Sequence, residues 1–158
     1  MLAGHTRPLT RVKYNREGDL LFTSARDNHA NVWWSHNGER IGSFDGHNGS
    51  ILDIDIDRKS RTLLTASADM TVVLWDVKSG TIIWKWLFKT PVRSVAFAMG
   101  DKRFLAATDA RMGHPSMLNV FDLESCSLLF FFGSRLHCGA VMPDLLTLSP
   151  MRQYRKNR

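Results

Sequence analysis

Three landmarks recur at a spacing of 42 residues, and this repeat constrains the fold of the 158-residue chain more than its composition does. The landmarks are a Gly-His pair (Gly4-His5 and Gly46-His47), an aspartate (Asp27 and Asp69) and a tryptophan (Trp33 and Trp75). A period of this size is typical of repeat proteins in which each copy is one small supersecondary unit. The chain is therefore expected to fold as consecutive, similar units.

A third copy is present in degraded form. Val92, Val95 and Phe97 continue the apolar series of the first two copies, and Asp109 and Phe121 follow where the aspartate and the tryptophan are due. It has no Gly-His pair ahead of its first strand, and the apolar run 128–132 can supply its last strand. The expected units begin near Leu9, Ile51 and Val92 and cover residues 4–45, 46–87 and 88–133 of a domain formed by residues 1–133.

Each copy predicts four short strands. In the second copy, residues 52–57 alternate apolar and acidic side chains, the period of two expected of a half-buried strand. Residues 61–67, 71–75 and 81–88 follow as further strands, separated by a tight turn and a glycine-ended turn. Four strands in about 40–45 residues, with Gly-His and Trp-Asp marks, are the signature of a WD-repeat β-propeller blade. The predicted fold is all-β, with about three four-stranded blades, an incomplete propeller because rings close with about 4–8 blades.

The recurring polar residues have a physical reason in a blade. The histidine can bond the aspartate with one ring nitrogen and a hydroxyl of the second strand with the other, and that hydroxyl can accept from the tryptophan indole. Such a buried chain is stable only when every member is satisfied. The predicted members are His5, Asp27, Thr23 or Ser24, and Trp33 in the first copy, and His47, Asp69, Thr65 or Ser67, and Trp75 in the second. The third copy has Asp109 but no histidine ahead of its first strand, so its network should be incomplete.

Ser, His and Asp side chains also suggest a hydrolase, but the pattern argues against it. The histidine and aspartate recur with the repeat, whereas a catalytic site is normally single. The sequence has no G-x-S-x-G elbow, phosphate loop or dinucleotide-binding fingerprint. Asp53, Asp55 and Asp57 lack the glycine and terminal glutamate of a calcium loop, so we expect a solvated or partner-facing strand face. We predict no enzyme activity, no cofactor and no bound metal.

Three tryptophans outside the repeat landmarks leave two interpretations open. Trp34 stands where a blade usually has aspartate, and Trp84 and Trp86 share one face of a strand. Large aromatic side chains dominate both cores and interfaces. These residues therefore either fill the gap between blades or mark a surface that docks a partner.

Charge is concentrated at the C-terminus. The formal net charge is +6, and residues 126–158 contain five Lys or Arg residues against one acid, Asp144. We expect residues 134–158 to form an irregular basic tail, solvated or in contact with RNA. Two cysteines, Cys126 and Cys138, no apolar leader and no run of about 18 apolar residues predict a cytoplasmic protein outside the membrane.

Some stretches of the sequence are more specific than the motifs shared by all WD repeats. Residues 13–23 (KYNREGDLLFT) and 31–35 (NVWWS), with 64–69 (LTASAD) and 74–76 (LWD), resemble the subunit I family of eukaryotic translation initiation factor 3. The resemblance covers roughly residues 4–125. It implies a seven-bladed propeller that serves as a non-catalytic scaffold in translation initiation. The implied partners are other subunits, mainly the large RRM-bearing and the RNA-binding subunit, and indirectly the small ribosomal subunit and mRNA.

The chain departs from that family at both ends. The strand that precedes the first Gly-His pair is reduced to residues 1–3, and the repeat pattern fades after Glu124. Three blades should expose an apolar face at each end of the array, which predicts self-association through open blade edges or pairing with other blades. Two alternatives remain: another WD-repeat adaptor, such as a receptor-kinase-associated signalling scaffold, and a protein that contacts RNA through its basic tail.

Overall fold

The structure is an array of three four-stranded antiparallel sheets. A computed structural model describes residues 4–111 and 113–133, and within these residues twelve strands form. The first sheet contains β1 (Leu9–Tyr14), β2 (Leu20–Ala25), β3 (His29–Trp34) and β4 (Arg40–Asp45). The second contains β5 (Ile51–Ile56), β6 (Thr62–Ser67), β7 (Thr71–Asp76) and β8 (Ile82–Leu87). The third contains β9 (Val92–Phe97), β10 (Arg103–Thr108), β11 (Met117–Asp122) and β12 (Leu128–Gly133).

Within each sheet the four strands lie side by side in chain order. Each sheet is therefore an antiparallel meander made from one continuous stretch of sequence, as a propeller blade is. The predicted all-β fold is confirmed, and the sheets begin at the predicted Leu9, Ile51 and Val92. The predicted basic tail, residues 134–158, lies outside the described residues, as does Cys138.

The turn between the second and third strands of a sheet is built around its aspartate. Asn28 and Met70, which directly follow Asp27 and Asp69, have positive φ angles of 70° and 65°. In the second sheet the carboxylate accepts the backbone N–H of Thr71 at 3.0 Å, two residues ahead. This local bond is typical of aspartate in turns, and it fixes the direction in which the carboxylate points.

Two apolar cores lie between neighbouring sheets. In the first core, Phe22 and Phe44 of the first sheet pack with Ile51, Ile54 and Trp75 of the second. The second core joins sheets two and three in the same way, with Leu74, Trp86, Val92, Phe104 and Phe121. Burial of apolar area between sheets is the main force that holds such arrays together.

Nothing in the described part of the chain forms a helix long and apolar enough to cross a membrane. The same residues contain no group of three or more His, Cys, Asp or Glu side chains arranged to hold a metal ion. Cys126 has a free thiol, and burial, with the charge of Asp122, raises its pKa.

Candidate functional site

A chain of four hydrogen-bonded side chains runs through the second sheet. Nδ1 of His47 lies 3.0 Å from the carboxylate of Asp69, and Nε2 lies 2.6 Å from Oγ1 of Thr65. The indole N–H of Trp75 donates to the same Oγ1 at 2.8 Å. Because a carboxylate can only accept, Nδ1–H of His47 donates to Asp69, and in that tautomer Nε2 accepts the hydroxyl proton of Thr65. All four side chains are largely buried, so their polar atoms depend on one another rather than on water.

Asp69 anchors more of this network than the sequence indicated. It also accepts the hydroxyl of Thr71 at 2.6 Å and the backbone N–H of Asn48 at 2.9 Å. Burial alone would raise the pKa of Asp69, but hydrogen bonds from His47 and Thr71, with the backbone bonds, hold it well below its usual 3.8. Sequence reasoning missed Thr71, although a hydroxyl residue two positions after a turn aspartate is a recognisable signal.

The first sheet repeats the arrangement. His5 lies 2.9 Å from Asp27 through Nδ1 and 2.8 Å from Thr23 through Nε2, and Trp33 donates to Thr23 at 2.8 Å. The second-strand hydroxyl is therefore Thr23, and Ser24 instead bonds the hydroxyl of a β1 residue. The serine considered for the second sheet, Ser67, is likewise outside the histidine chain. Its hydroxyl donates to the carbonyl of Gly49 and accepts the N–H of Asp69.

The third sheet replaces the polar chain with apolar residues. The strand register places Ala106 and Phe121 at the positions of Thr65 and Trp75. Phe88 precedes the first residue of β9 by four positions, as His47 precedes the first residue of β5. Phe88 lies edge-on to Phe121 at 5.6 Å, as the imidazole of His47 does to Trp75 at 6.2 Å. An aromatic pair thus takes the place of His47 and Trp75, and it needs no polar partner.

The sequence alignment of Asp109 with Asp69 is wrong by one residue. The backbone N–H of Asp109 donates to the carbonyl of Pro91, as that of Ala68 does to the carbonyl of Ser50. Asp109 is therefore the counterpart of Ala68. Its carboxylate pairs with the guanidinium of Arg93 at 3.1 Å, and both side chains are partly exposed. The inserted residues 110–116 conceal this shift, because they separate the aspartate from the landmarks that follow it.

The glycine of the Gly-His pair has a steric reason. A Cβ atom on Gly4 would lie 2.6 Å from Cη2 of Trp33, and one on Gly46 would lie 3.0 Å from Cη2 of Trp75. The missing side chain lets the indole ring lie against the backbone beside the histidine. Sequence reasoning missed this role, although the glycine recurs with the same period as the histidine and tryptophan.

Asp53 lies at a junction of all three sheets. It accepts Nε of Arg11 from β1 at 2.9 Å, and from β9 it accepts the backbone N–H of Val95 at 3.1 Å and the hydroxyl of Ser94. Its side chain is almost fully buried, whereas that of Arg11 is more than half exposed. The carboxylate therefore ties the innermost strands of three consecutive sheets together.

Asp55 repeats this junction one step along β5. It pairs with the ammonium group of Lys13 in β1 and accepts the N–H of Phe97 in β9 at 2.7 Å. We call Asp53 and Asp55 the carboxylate ladder. Asp57 instead accepts the N–H groups of residues 61 and 62 within its own turn. The expectation of a solvated or partner-facing acidic face is wrong, because all three residues are buried.

The three unassigned tryptophans occupy different environments. Trp86 is only 7% exposed and lies between the second and third sheets, 4.6 Å from the ring of Phe104. It fills the gap between blades, so the docking-surface interpretation is wrong for this residue. Trp84 is partly buried against the same core. Trp34 is 39% exposed and lies beside His36, which leaves a partner-facing role open for it.

Both ends of the array expose apolar side chains. Leu9, Val12 and Tyr14 of β1 are each more than half exposed, and we call them the leading face. Leu118 of β11 and Phe130 and Phe132 of β12 are exposed at the other end, and we call them the trailing face.

Comparison with known proteins gives consistent relatives. The family described as "WD domain, G-beta repeat" matches residues 1–33 and 38–76. Proteins named eukaryotic translation initiation factor 3 subunit I are similar to this chain at 50% identity over 77% of it in Schizosaccharomyces pombe and at 46% over 87% in Eremothecium gossypii. The chain covers 37% and 40% of those two relatives, so it spans less than half of their length.

Similarity to solved structures agrees on the fold. A crystal structure of RRP9 WD40 repeats superposes with a TM-score of 0.77, over 84% of this chain and 41% of that one. The identity is 16%, so this likeness concerns the fold alone.

Proposed function

The chain carries WD repeats and is related to the subunit I proteins of eukaryotic translation initiation factor 3, and from this we propose that it is a non-catalytic scaffold of that complex. The observation that carries the proposal is the identity of 44–50% with subunit I proteins over 77–87% of the chain. The proposed partners are other subunits, mainly the large RRM-bearing and the RNA-binding subunit. Through them the chain contacts the small ribosomal subunit and mRNA, which places it in the cytoplasm.

The geometry of the histidine networks supports a structural role. In the second sheet, His47 has both ring nitrogens engaged, and the hydroxyl of Thr65 is fully buried and already shared with Trp75. A nucleophile must reach its substrate, and this hydroxyl has no path to one. The same arrangement in the first sheet supports a stabilising network that repeats with the sheets rather than a single reactive centre.

The exposed surfaces support a role in binding. Trp34 and the two open faces offer aromatic and aliphatic side chains, the residue types that anchor protein interfaces. The alternative of a receptor-kinase adaptor has no comparable support, because the relatives in Schizosaccharomyces pombe and Eremothecium gossypii are named as translation-factor subunits.

Pull-down of purified factor subunits by the full chain tests this proposal. We expect the tagged chain to retain the RRM-bearing and RNA-binding subunits, and the Met99→Asp variant, altered in a fully exposed turn, to retain them equally. The Trp86→Asp variant, which breaks the second core, serves as the misfolded control and should lose them. Retention no greater than that of the misfolded control would refute the proposal.

A further inference from the structure

The outer strand of the second sheet, β8, has an unpaired edge. It is the last strand of its sheet, and within the described residues no strand pairs with it on the side away from β7. In an antiparallel pair, alternate residues turn their backbone N–H and C=O groups away from the partner strand. The N–H of Phe88 bonds the carbonyl of Met70 at 2.7 Å, so Phe88 and every second residue before it pair inwards. Lys85 and Leu87 lie between them and direct their backbone groups outwards.

The exposed side chains of β8 include two large apolar ones. Ile83 and Leu87 are 41% and 61% exposed, and Lys85, which lies between them, is exposed as well. The two faces of this sheet are already packed against the first and third sheets, so the open edge does not depend on what lies beyond either end of the array. The strand therefore offers both the backbone groups and the apolar contact that an added strand uses.

The sequence around this edge carries positive charge only. Exposed lysines stand before, within and after the strand, at positions 78, 85 and 89, and residues 77–100 contain no Asp or Glu. Among the described residues, none of the three lysines forms an ion pair with a carboxylate. The ammonium group of Lys85 reaches only the carbonyl of Gly46, at 3.5 Å. Three cations without a carboxylate along one strand attract a negatively charged partner.

The outer strand of the first sheet lacks this combination. The strand register gives the positions of Ile83, Lys85 and Leu87 to three residues of β4: Ile41, Ser43 and Asp45. The lysine is thus replaced by a neutral residue and the leucine by an aspartate, which pairs with His29 at 2.6 Å. The apolar and cationic edge is therefore specific to the second sheet and is not a general property of the repeat.

We propose that β8 binds an extended acidic segment of another protein, which adds to the second sheet as a fifth strand. The backbone of this segment pairs with the outward groups of Lys85 and Leu87, and its apolar side chains contact Ile83 and Leu87. Its carboxylates lie beside Lys78, Lys85 and Lys89. The proposal does not depend on membership in the initiation-factor complex.

The charge of the edge selects against two other occupants. Pairing β8 with β8 of a second copy would bring lysines close to lysines, and like charges on neighbouring strands are destabilising. Lysine on an edge strand prevents this kind of self-pairing in natural sheets. Residues 134–158 of the chain itself contain five Lys or Arg residues against one acid, so they do not complement the edge either.

Fluorescence anisotropy with the full chain and a labelled peptide of alternating glutamate and valine, about seven residues long, tests the proposal. We expect binding that Lys85→Glu and Leu87→Asp each weaken by at least about tenfold. Ile41→Asp, at the exposed isoleucine of β4, is the matched control and should leave the affinity unaltered. All three side chains are exposed, so far-UV circular dichroism should be unchanged. No binding at about 1 mM peptide, or equal binding of a peptide with lysine in place of glutamate, would overturn the proposal.

Hydrogen exchange of single amides, measured by NMR, tests the backbone pairing. The N–H groups of Lys85 and Leu87 have no strand partner in the free chain, and their exchange should slow by about tenfold or more when the acidic peptide saturates β8. The equivalent amides of β4, at Ser43 and Asp45, should exchange at an unchanged rate. Binding that leaves the exchange of Lys85 and Leu87 unaltered would show that charge alone holds the peptide, and the fifth strand would be wrong.

Discussion

Replacing Asp69 with alanine removes one acceptor that serves four donors, and we expect it to destabilise the chain by ~1–3 kcal/mol. Two of the donors have alternatives. The N–H of Asn48 is near solvent, and the hydroxyl of Thr71, 3.2 Å from Nδ1 of His47, can turn to accept its proton. The loss therefore comes mainly from the buried Thr71, whose N–H and hydroxyl groups both lose their acceptor.

Asp109→Ala is the matched control, because it removes the aspartate of the degraded repeat. Asp109 only forms a partly exposed ion pair with Arg93, and such pairs contribute ~0–1 kcal/mol. Asp69→Asn should lie between the two, because an amide oxygen can still accept from His47. Free energies of unfolding from urea titrations, followed by tryptophan fluorescence, measure all three.

The pH dependence supplies a second check. The folded-state pKa of Asp69 is lowered from 3.8, so its ionised form stabilises the fold above that pH, and this contribution disappears as the pH falls towards the folded pKa. The stability difference between wild type and Asp69→Ala should thus be full at neutral pH and shrink below about pH 4. Equal losses for the alanine variants at positions 69 and 109, or a difference that grows on acidification, would refute the network argument.

Other substitutions test the joints and the turns. Asp53→Ala should lower the free energy of unfolding by ~1–3 kcal/mol in urea titrations, because the buried N–H of Val95 loses its acceptor. Arg11→Met, at an exposed side chain, should lower it by only ~0–1 kcal/mol. Equal effects would contradict a ladder centred on the carboxylate. Trp86→Ala should cost ~3–5 kcal/mol and reduce the near-UV circular dichroism, whereas Trp34→Ala should leave the melting curve nearly unchanged. Gly49→Ala should lower the free energy of unfolding by ~1–3 kcal/mol, since its Cβ would lie 2.8 Å from the backbone nitrogen of Asp69. An unchanged melting temperature would show that the turn moves to accommodate the methyl group without loss of stability.

The period of the repeat was enough to predict the sheets and where they begin. Recurrence of His47, Asp69 and Trp75 at a fixed offset also pointed to the residues that the structure brings together in one network. The choice between Thr65 and Ser67 stayed open because both belong to the same strand. Only the strand pairing shows which of the two hydroxyls faces the histidine.

The residue pattern of one strand could not predict the carboxylate ladder. Alternation in residues 52–57 places the acids on one face, but it says nothing about what covers that face. A usable signal was present: Arg11 and Lys13 precede Asp53 and Asp55 by 42 residues, so opposite charges occupy the same position in consecutive repeats. Asp109 was misaligned for a related reason, because an insertion hides the offset on which repeat comparison depends.

Burial of Trp86 depends on how soon the third sheet is synthesised. Trp86 leaves the ribosome before the strands β9 to β11 that bury it, and the last of them ends about 35 residues later. At ~5–20 residues per second, its ring waits for seconds beside a completed sheet with no cover. A slow codon between residues 90 and 120 lengthens that interval. The rate of translation therefore sets how long the apolar face of the second sheet stays exposed to chaperones. The stability of the finished array does not determine this interval.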